Sequence, residues 1–295
     1  MTPAVRQSLG AAFFDQRYTI GFWHWETANF PSEWHDRFGL LQEIWVASEF
    51  VQQTLSPLVS IPIRRIRVPV ALAAPAHVCR AELGLPEDRF LWLFAFDMRS
   101  YIERKNPFGA IDAYRRAFGT HSNCTHLVIK ASHLGEHPEA AARLRASLAE
   151  VGGTLIDSAI DRARLTTLFA ACDGYLSLHR SEGFGLTIVE AMALGKPVVA
   201  TGYSGNMDFM TAENSYPVRY RLVELERDHG PYRRGNLWAE PDLDHAAELM
   251  RAVCAQREEA RQRGQVAAND ILRWYGRQPA GQAIIDRLNV IEGRV

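Results

Sequence analysis

His179-Arg180-Ser181-Glu182-Gly183-Phe184-Gly185-Leu186-Thr187-Ile188-Val189-Glu190 is the stretch on which the rest of the chain turns. It follows a strand-like run, 174–178, and opens a helical pattern, 186–194, that Gly195 stops. Small residues at Gly183 and Gly185 let the backbone approach a ligand closely. The helix start beyond them offers unpaired N–H groups and a positive dipole end, which favour a diphosphate. Glu182 lies in the loop and Glu190 about one turn into the helix. Two ionised carboxylates so placed can accept hydrogen bonds from hydroxyls at two ends of one ligand. The pair of glutamates alone would read as surface residues around a Gly-rich turn; the surroundings decide otherwise.

Outward from this stretch, short apolar runs alternate with helical patterns. Strands are expected at 90–96, 125–130, 154–157 and 197–201. Helices are expected at 107–118 and 138–151, and from a cap at Asp161 to Ala171. Such alternation predicts an α/β fold, a doubly wound parallel sheet with helices on both faces. Ligands bind such sheets at the carboxyl ends of the strands. Before residue 90 the pattern weakens: strands at 19–23 and 44–46, a helix at 49–55, then an extended segment, 59–70, holding Pro62 and Pro69. Residues 244–289 read as helical, divided by Gly264, Gly276, Pro279 and Gly281. Three regions follow: 1–70, a partial first unit with its linker; 71–263, the ligand-binding unit; and 264–295, helices packing back toward the first.

Composition narrows the function. The 295 residues are 47% hydrophobic, enough for an ordinary core, and the formal net charge of -1 gives no pull toward nucleic acid. Arg64, Arg65 and Arg67 read as a solvated strand face, with membrane contact as the alternative. Cys79, Cys124, Cys172 and Cys254 form no C-x-x-C pair and no Cys/His cluster at metal-ligand spacing. No signal pattern and no apolar run of about 18 residues is present. The expectation is a cytoplasmic protein, with peripheral contact at the inner membrane face left open.

Glu182, seven residues and Glu190, with Gly183-Phe184-Gly185 between them and Ala191-Met192-Ala193-Leu194-Gly195-Lys196-Pro197-Val198-Val199-Ala200-Thr201 after, resemble the E-x7-E signature of retaining GT-B glycosyltransferases (group 1, family 4-like). Asp97-Met98-Arg99-Ser100-Tyr101-Ile102-Glu103-Arg104-Lys105-Asn106-Pro107 is similar to the phosphate-binding segment of a bacterial subgroup. Tyr203-Ser204-Gly205-Asn206-Met207-Asp208-Phe209 and Trp238-Ala239-Glu240-Pro241-Asp242 resemble its later blocks. Ile20-Gly21-Phe22-Trp23-His24-Trp25-Glu26 and Glu43-Ile44-Trp45-Val46-Ala47-Ser48-Glu49-Phe50-Val51 resemble the end of its N-terminal domain. The resemblance spans residues 18–251.

The resemblance implies two Rossmann-like units and a hexose transferred, with retention, from a nucleotide sugar to a saccharide or lipid-linked acceptor in bacterial surface polysaccharide synthesis. Glu190 would bind the ribose hydroxyls and Glu182 the sugar hydroxyls. Gly183, Phe184, Gly185, Leu186 and Thr187 would line the sugar and diphosphate, beside Ser204 and Gly205. Lys105 matches the lysine that neutralises the diphosphate, with Arg99 as the first choice for its arginine partner and Arg104 the second. His24 is placed near the donor sugar, and Trp25 and Glu26 on the acceptor side. GDP-mannose is the first donor to try, UDP-sugars the next.

The departing diphosphate gains negative charge, which either a metal in a D-x-D loop or cationic side chains with a helix N-terminus can stabilise. The only strict D-x-D, Asp242-Leu243-Asp244, precedes a helix and reads as its cap. No cofactor and no metal requirement is therefore expected. A full enzyme of this resemblance carries about 100 more residues in its first unit. Their absence implies an incomplete acceptor surface, donor affinity better retained than transfer, and self-association through an exposed sheet edge. The alternative reading is a non-catalytic nucleotide-sugar-binding remnant. A phosphorylase or an epimerase of the same shape is a weaker reading, the former because no lysine sits in a pyridoxal phosphate context.

Overall fold

The computed structural model describes residues 8–14, 17–70, 72 and 74–293. Positions 1–7 and 15–16 of the expected first region, 71 and 73 near its junction, and 294–295 at the end lie outside the described residues.

The first sheet has three parallel strands in the order β1 (Ile20–Trp23), β2 (Glu43–Val46), β3 (Ile63–Arg65), with helix α1 (Glu49–Leu55) after β2. Ile20 pairs with Glu43 and Trp23 with Val46; Ile44 pairs with Ile63. Ser48 starts α1 by accepting the Val51 N–H at 3.3 Å. The segment expected to be extended, 59–70, contains β3.

The larger sheet follows in the chain. Its elements are β4 (Phe90–Asp97), α2 (Ile102–Lys105), α3 (Pro107–Phe118), β5 (Thr125–Ser132), α4 (Pro138–Ala149), β6 (Thr154–Ile156), α5 (Arg162–Ala171), β7 (Gly174–Ser177), α6 (Leu186–Ala193), β8 (Val198–Thr201) and β9 (Tyr216–Val218). All six strands run parallel in the order β6-β5-β4-β7-β8-β9. β4 is central and buried on both faces, which is why it reads as one apolar run. Its alternate side chains feed two cores. Phe90, Trp92, Phe94 and Phe96 pack with α3 and α4, while Leu91, Leu93 and Ala95 pack with α5 and α6. Local chemistry sets the helix ends. Asn106 accepts the Gly109 N–H at 3.1 Å, with Pro107 next, and Asp161 accepts the Arg164 N–H at 2.7 Å.

The rest comprises an antiparallel hairpin, β10 (Tyr220–Glu224) with β11 (Leu237–Pro241), and helices α7 (Leu243–Ala255), α8 (Arg257–Tyr275) and α9 (Arg277–Ile291). Asp242 caps α7 through the His245 N–H at 3.0 Å. Two expectations need correction. Gly264 interrupts nothing: it lies inside α8, where a Cβ would stand 2.1 Å from the Gly195 oxygen, so the glycine serves close packing. Pro279 and Gly281 likewise lie inside α9, and Gly276 alone of the four marks a break. Arg287 of α9 reaches Glu43 of β2, which is buried, at 2.9 Å. Among the described residues no helix is long and apolar enough to cross a membrane.

Candidate active site

In the six-stranded sheet, chain order reverses between β4 and β7. The crevice outside the carboxyl ends of these two strands is where such sheets take ligands. The segment after β4, 98–106, and the loop after β7, 178–185, meet there. A cavity of about 380 Å³ opens between them and the first sheet. Phe22, His24 and Glu26 come from the end of β1, Val68 from the extended segment, Ser100, Arg104 and Lys105 from the segment after β4, and Glu182 to Thr187 from the loop and the start of α6.

The floor is an ion cluster. Lys105 Nζ donates to Glu182 Oε1, and Arg104 Nη1 lies 3.2 Å from Glu182 Oε2. Arg104 also donates to the carbonyls of Ser181, at 2.8 Å, and Ser100, at 3.2 Å. Its side chain is 4% exposed, that of Glu182 9% and that of Lys105 12%. Burial pushes the Glu182 carboxyl up, but Lys105, Arg104 and His179 reverse this and leave it at about 2. Burial depresses Lys105, which Glu182 resists and Arg104 reinforces, so its pKa is lowered. Burial also opposes the charge on Arg104, yet Glu182, Tyr232 and Glu26 outweigh it and raise its pKa. Arg104 and Lys105 are thus held side by side on Glu182, with the Glu26 carboxylate across the cavity acting on both.

The backbone of the loop is fixed from several sides. Ser48 Oγ donates to the Gly183 carbonyl at 2.5 Å, Ser204 Oγ accepts the Glu182 N–H at 2.8 Å, and the Gly205 N–H donates to the Glu182 carbonyl at 2.9 Å. A Cβ on Gly183 would stand 2.6 Å from the Trp25 oxygen, and one on Gly205 would stand 2.3 Å from the Gly183 oxygen. Gly185, at φ +94, begins α6 without a side-chain cap; the Ile188 N–H turns back to the Gly185 carbonyl at 3.0 Å, and those of Leu186 and Thr187 stay available. Behind the loop, buried His179 contacts Asn206 Oδ1 at 3.0 Å.

The structure therefore brings His24, Glu26, Arg104, Lys105, Glu182, Gly183, Phe184, Gly185, Leu186 and Thr187 to one cavity. It separates the others from its lining. Arg99, the first choice, is displaced: Asp97 accepts its N–H at 2.9 Å, Tyr101 takes φ +64, and its exposed guanidinium pairs with Glu136 at 2.9 Å. The second choice, Arg104, occupies the cavity wall. Trp25 is 3% exposed and belongs to the core of the first sheet, its Nε1 donating to the Asn29 carbonyl at 2.9 Å. Ser204 and Gly205 hold the loop from behind. Glu190 is buried under Arg162, whose Nη2 lies 2.6 Å from Oε1; burial raises its pKa and Arg162 opposes the rise.

Arg162, Tyr232, Ser48 and Phe22 were not singled out in the sequence. A serine before an apolar helical run gave a findable cap at Ser48; nothing local marked Arg162 or Tyr232. Away from the cavity, the donor atoms of His77, Cys79 and Glu82 lie within 4.8 Å of one another, a grouping the spacing did not reveal. His77 and Glu82 are exposed there.

The family profile described as "Glycosyl transferases group 1" matches residues 80–270. Several solved structures are similar. A glycosyltransferase from Rickettsia africae ESF-5 is 17% identical, over 99% of this chain and 75% of that one, with a TM-score of 0.73. HepE from Anabaena in complex with UDP-glucose is 16% identical, over 95% and 74%, at 0.73. WaaG, a glycosyltransferase involved in lipopolysaccharide biosynthesis, is 14% identical, over 89% and 68%, at 0.60. No curated protein matches. At these identities the structural likeness establishes the GT-B fold.

Proposed function

Because the chain belongs to the group 1 glycosyl transferases, we propose that its cavity takes a nucleotide sugar and transfers the hexose, with retention, to a saccharide or lipid-linked acceptor. The observation that carries this reading is the pairing of Arg104 and Lys105 with an uncapped helix start at the switch point of the sheet. A diphosphate seated there meets two cations and the first-turn N–H groups, already oriented in a partly dry site. Charge that develops on the leaving group is then stabilised without reorganisation. Glu182 holds the two cations in place and presents its oxygens to sugar hydroxyls. Glu190, freed from Arg162, would take the ribose diol. Cations in this position do the work a metal would do, so turnover is proposed to be metal-independent. Synthesis of a bacterial surface polysaccharide, at the cytoplasmic membrane face, is the proposed setting.

GDP-mannose and UDP-glucose are the first ligands to titrate, the second also because HepE holds it. Calorimetry with these donors and their free diphosphates is expected to show one nucleotide binding. Glu190→Ala should weaken it by at least about tenfold, the size of a lost charged hydrogen bond. Binding unchanged in that variant would remove Glu190 from the site. Binding by folded wild type without donor hydrolysis or transfer would favour the non-catalytic reading, and no binding at all would overturn both.

A further inference from the structure

The hairpin β10–β11 lies outside the cavity, yet its tip reaches both walls. Leu225, Tyr232 and Trp238 are buried in the core of the first sheet, although they come from the far end of the chain. Tyr232 Oη donates to Glu26 Oε2 at 2.9 Å. The Arg104 guanidinium carbon stands 5.8 Å from the centroid of the same ring. Beside it, Asn236 Nδ2 donates to Thr27 Oγ1 at 2.9 Å and Asn236 Oδ1 accepts the Asn29 N–H at 3.1 Å. The tip also presses on the segment that carries the cations. Gly230 is at φ +59, where a Cβ would stand 2.1 Å from Tyr101 Oη, and the Tyr101 ring meets Tyr232 edge-on at 5.3 Å. Tyr101 directly precedes α2, which contains Arg104 and Lys105.

We propose that Tyr232 is a positioning residue and the hairpin tip a clasp, holding Glu26 of the first sheet and Arg104 of the donor wall in one arrangement. The proposal rests on the reading of the cavity as a nucleotide-sugar site. Tyr232 is not among the residues that line the cavity. It supplies no binding energy of its own. What it fixes is the relation between the acceptor-side carboxylate and the cations, and orientation of that kind acts on turnover.

Tyr232→Phe in the full chain keeps the ring beside Arg104 and removes only the bond to Glu26. With whichever donor calorimetry selects, kcat for donor hydrolysis is expected to fall about tenfold, a loss of orientation. KM and the Kd of the free diphosphate should stay within about twofold, because ground-state binding is untouched. Amide hydrogen exchange of 24–29 should quicken while β4 and β5 stay protected. Glu26→Ala combined with Tyr232→Phe should be no slower than Glu26→Ala alone, since one acts through the other. Wild-type kcat and exchange in Tyr232→Phe overturn the proposal. So does a parallel loss of affinity and thermal stability, which would mean a structural role alone, and so do additive effects in the double variant. A wild-type protein that binds no diphosphate sinks the functional reading instead, and the exchange measurement still decides the clasp.

Discussion

On the side built by the six-stranded sheet, the cleft presents Arg104 at 3% exposure, Lys105 and Glu182 joined to it, and a loop backbone pinned by Ser48, Ser204 and Gly205. On the side built by the first sheet it presents Phe22, 43% exposed, and His24, exposed and in edge contact with it at 5.0 Å. One wall has its charges buried, paired and oriented before any ligand arrives; on the other Glu26 is held by Tyr232, while Phe22 and His24 have room to adapt. Preorganised charge suits a diphosphate, whose shape is constant. A loose aromatic rim suits a partner whose shape is not.

By that division the largest effect belongs to the first wall. Lys105→Ala should lower kcat/KM by about 10²- to 10³-fold, the range for losing one preorganised charge donor. Steady-state kinetics beside Lys105→Arg reads it, and a loss under about fivefold would mean that the buried cation is not aimed at the diphosphate.

A smaller effect follows from pH. Burial lowers the pKa of Lys105 from 10.5, so its charge is lost earlier than in an ordinary lysine as pH rises. Diphosphate affinity should therefore fall by about tenfold as pH rises through this lowered pKa, below the range of an ordinary lysine, with proton uptake on binding there. Glu182, held at about 2, stays ionised throughout and should add no step. Lys105→Arg should remove this decline. In Glu190→Ala, which removes the other carboxyl proposed to meet the nucleotide, a step between about pH 4 and 6, where an ordinary glutamate titrates, would show that the ion cluster is not intact.

The smallest effect belongs to the second wall. His24→Ala should change donor KM or kcat by about three- to tenfold, the worth of one modest hydrogen bond. Unchanged constants would take His24 out of the site. A loss matching that of Lys105→Ala would erase the contrast between the walls.

The same two regions were unequally legible. The six-stranded sheet announces itself because strands buried on both faces must be apolar throughout, as Phe90–Asp97 is, and because caps such as Asp161 and Asp242 act within three residues. The loop from Glu182 to Glu190 was readable for a related reason: its glycines and its helix start are local features. The hairpin was not. Strand Tyr220–Glu224 is exposed along nearly its whole length, and the residues that Tyr232 and Asn236 of the hairpin loop serve, Glu26 and Thr27, lie at the other end of the chain. Arg99 and Arg104 show the limit within one segment. Both are arginines close to Lys105, and their partners are tertiary: Arg99 pairs outward with Glu136, Arg104 inward with Glu182, and Tyr101 between them takes a positive φ with its ring against Gly230.

The contact between Gly183 and Gly205 has a consequence for building chimaeras. The two residues sit in separate segments, and a side chain on Gly205 would collide with the Gly183 carbonyl at 2.3 Å while its amide must still reach Glu182. A graft that imports a foreign 179–190 loop to alter donor choice, but keeps the native 203–209 segment, pairs two halves of a joint cut to different patterns. Recombination breakpoints placed outside both segments would keep that joint whole.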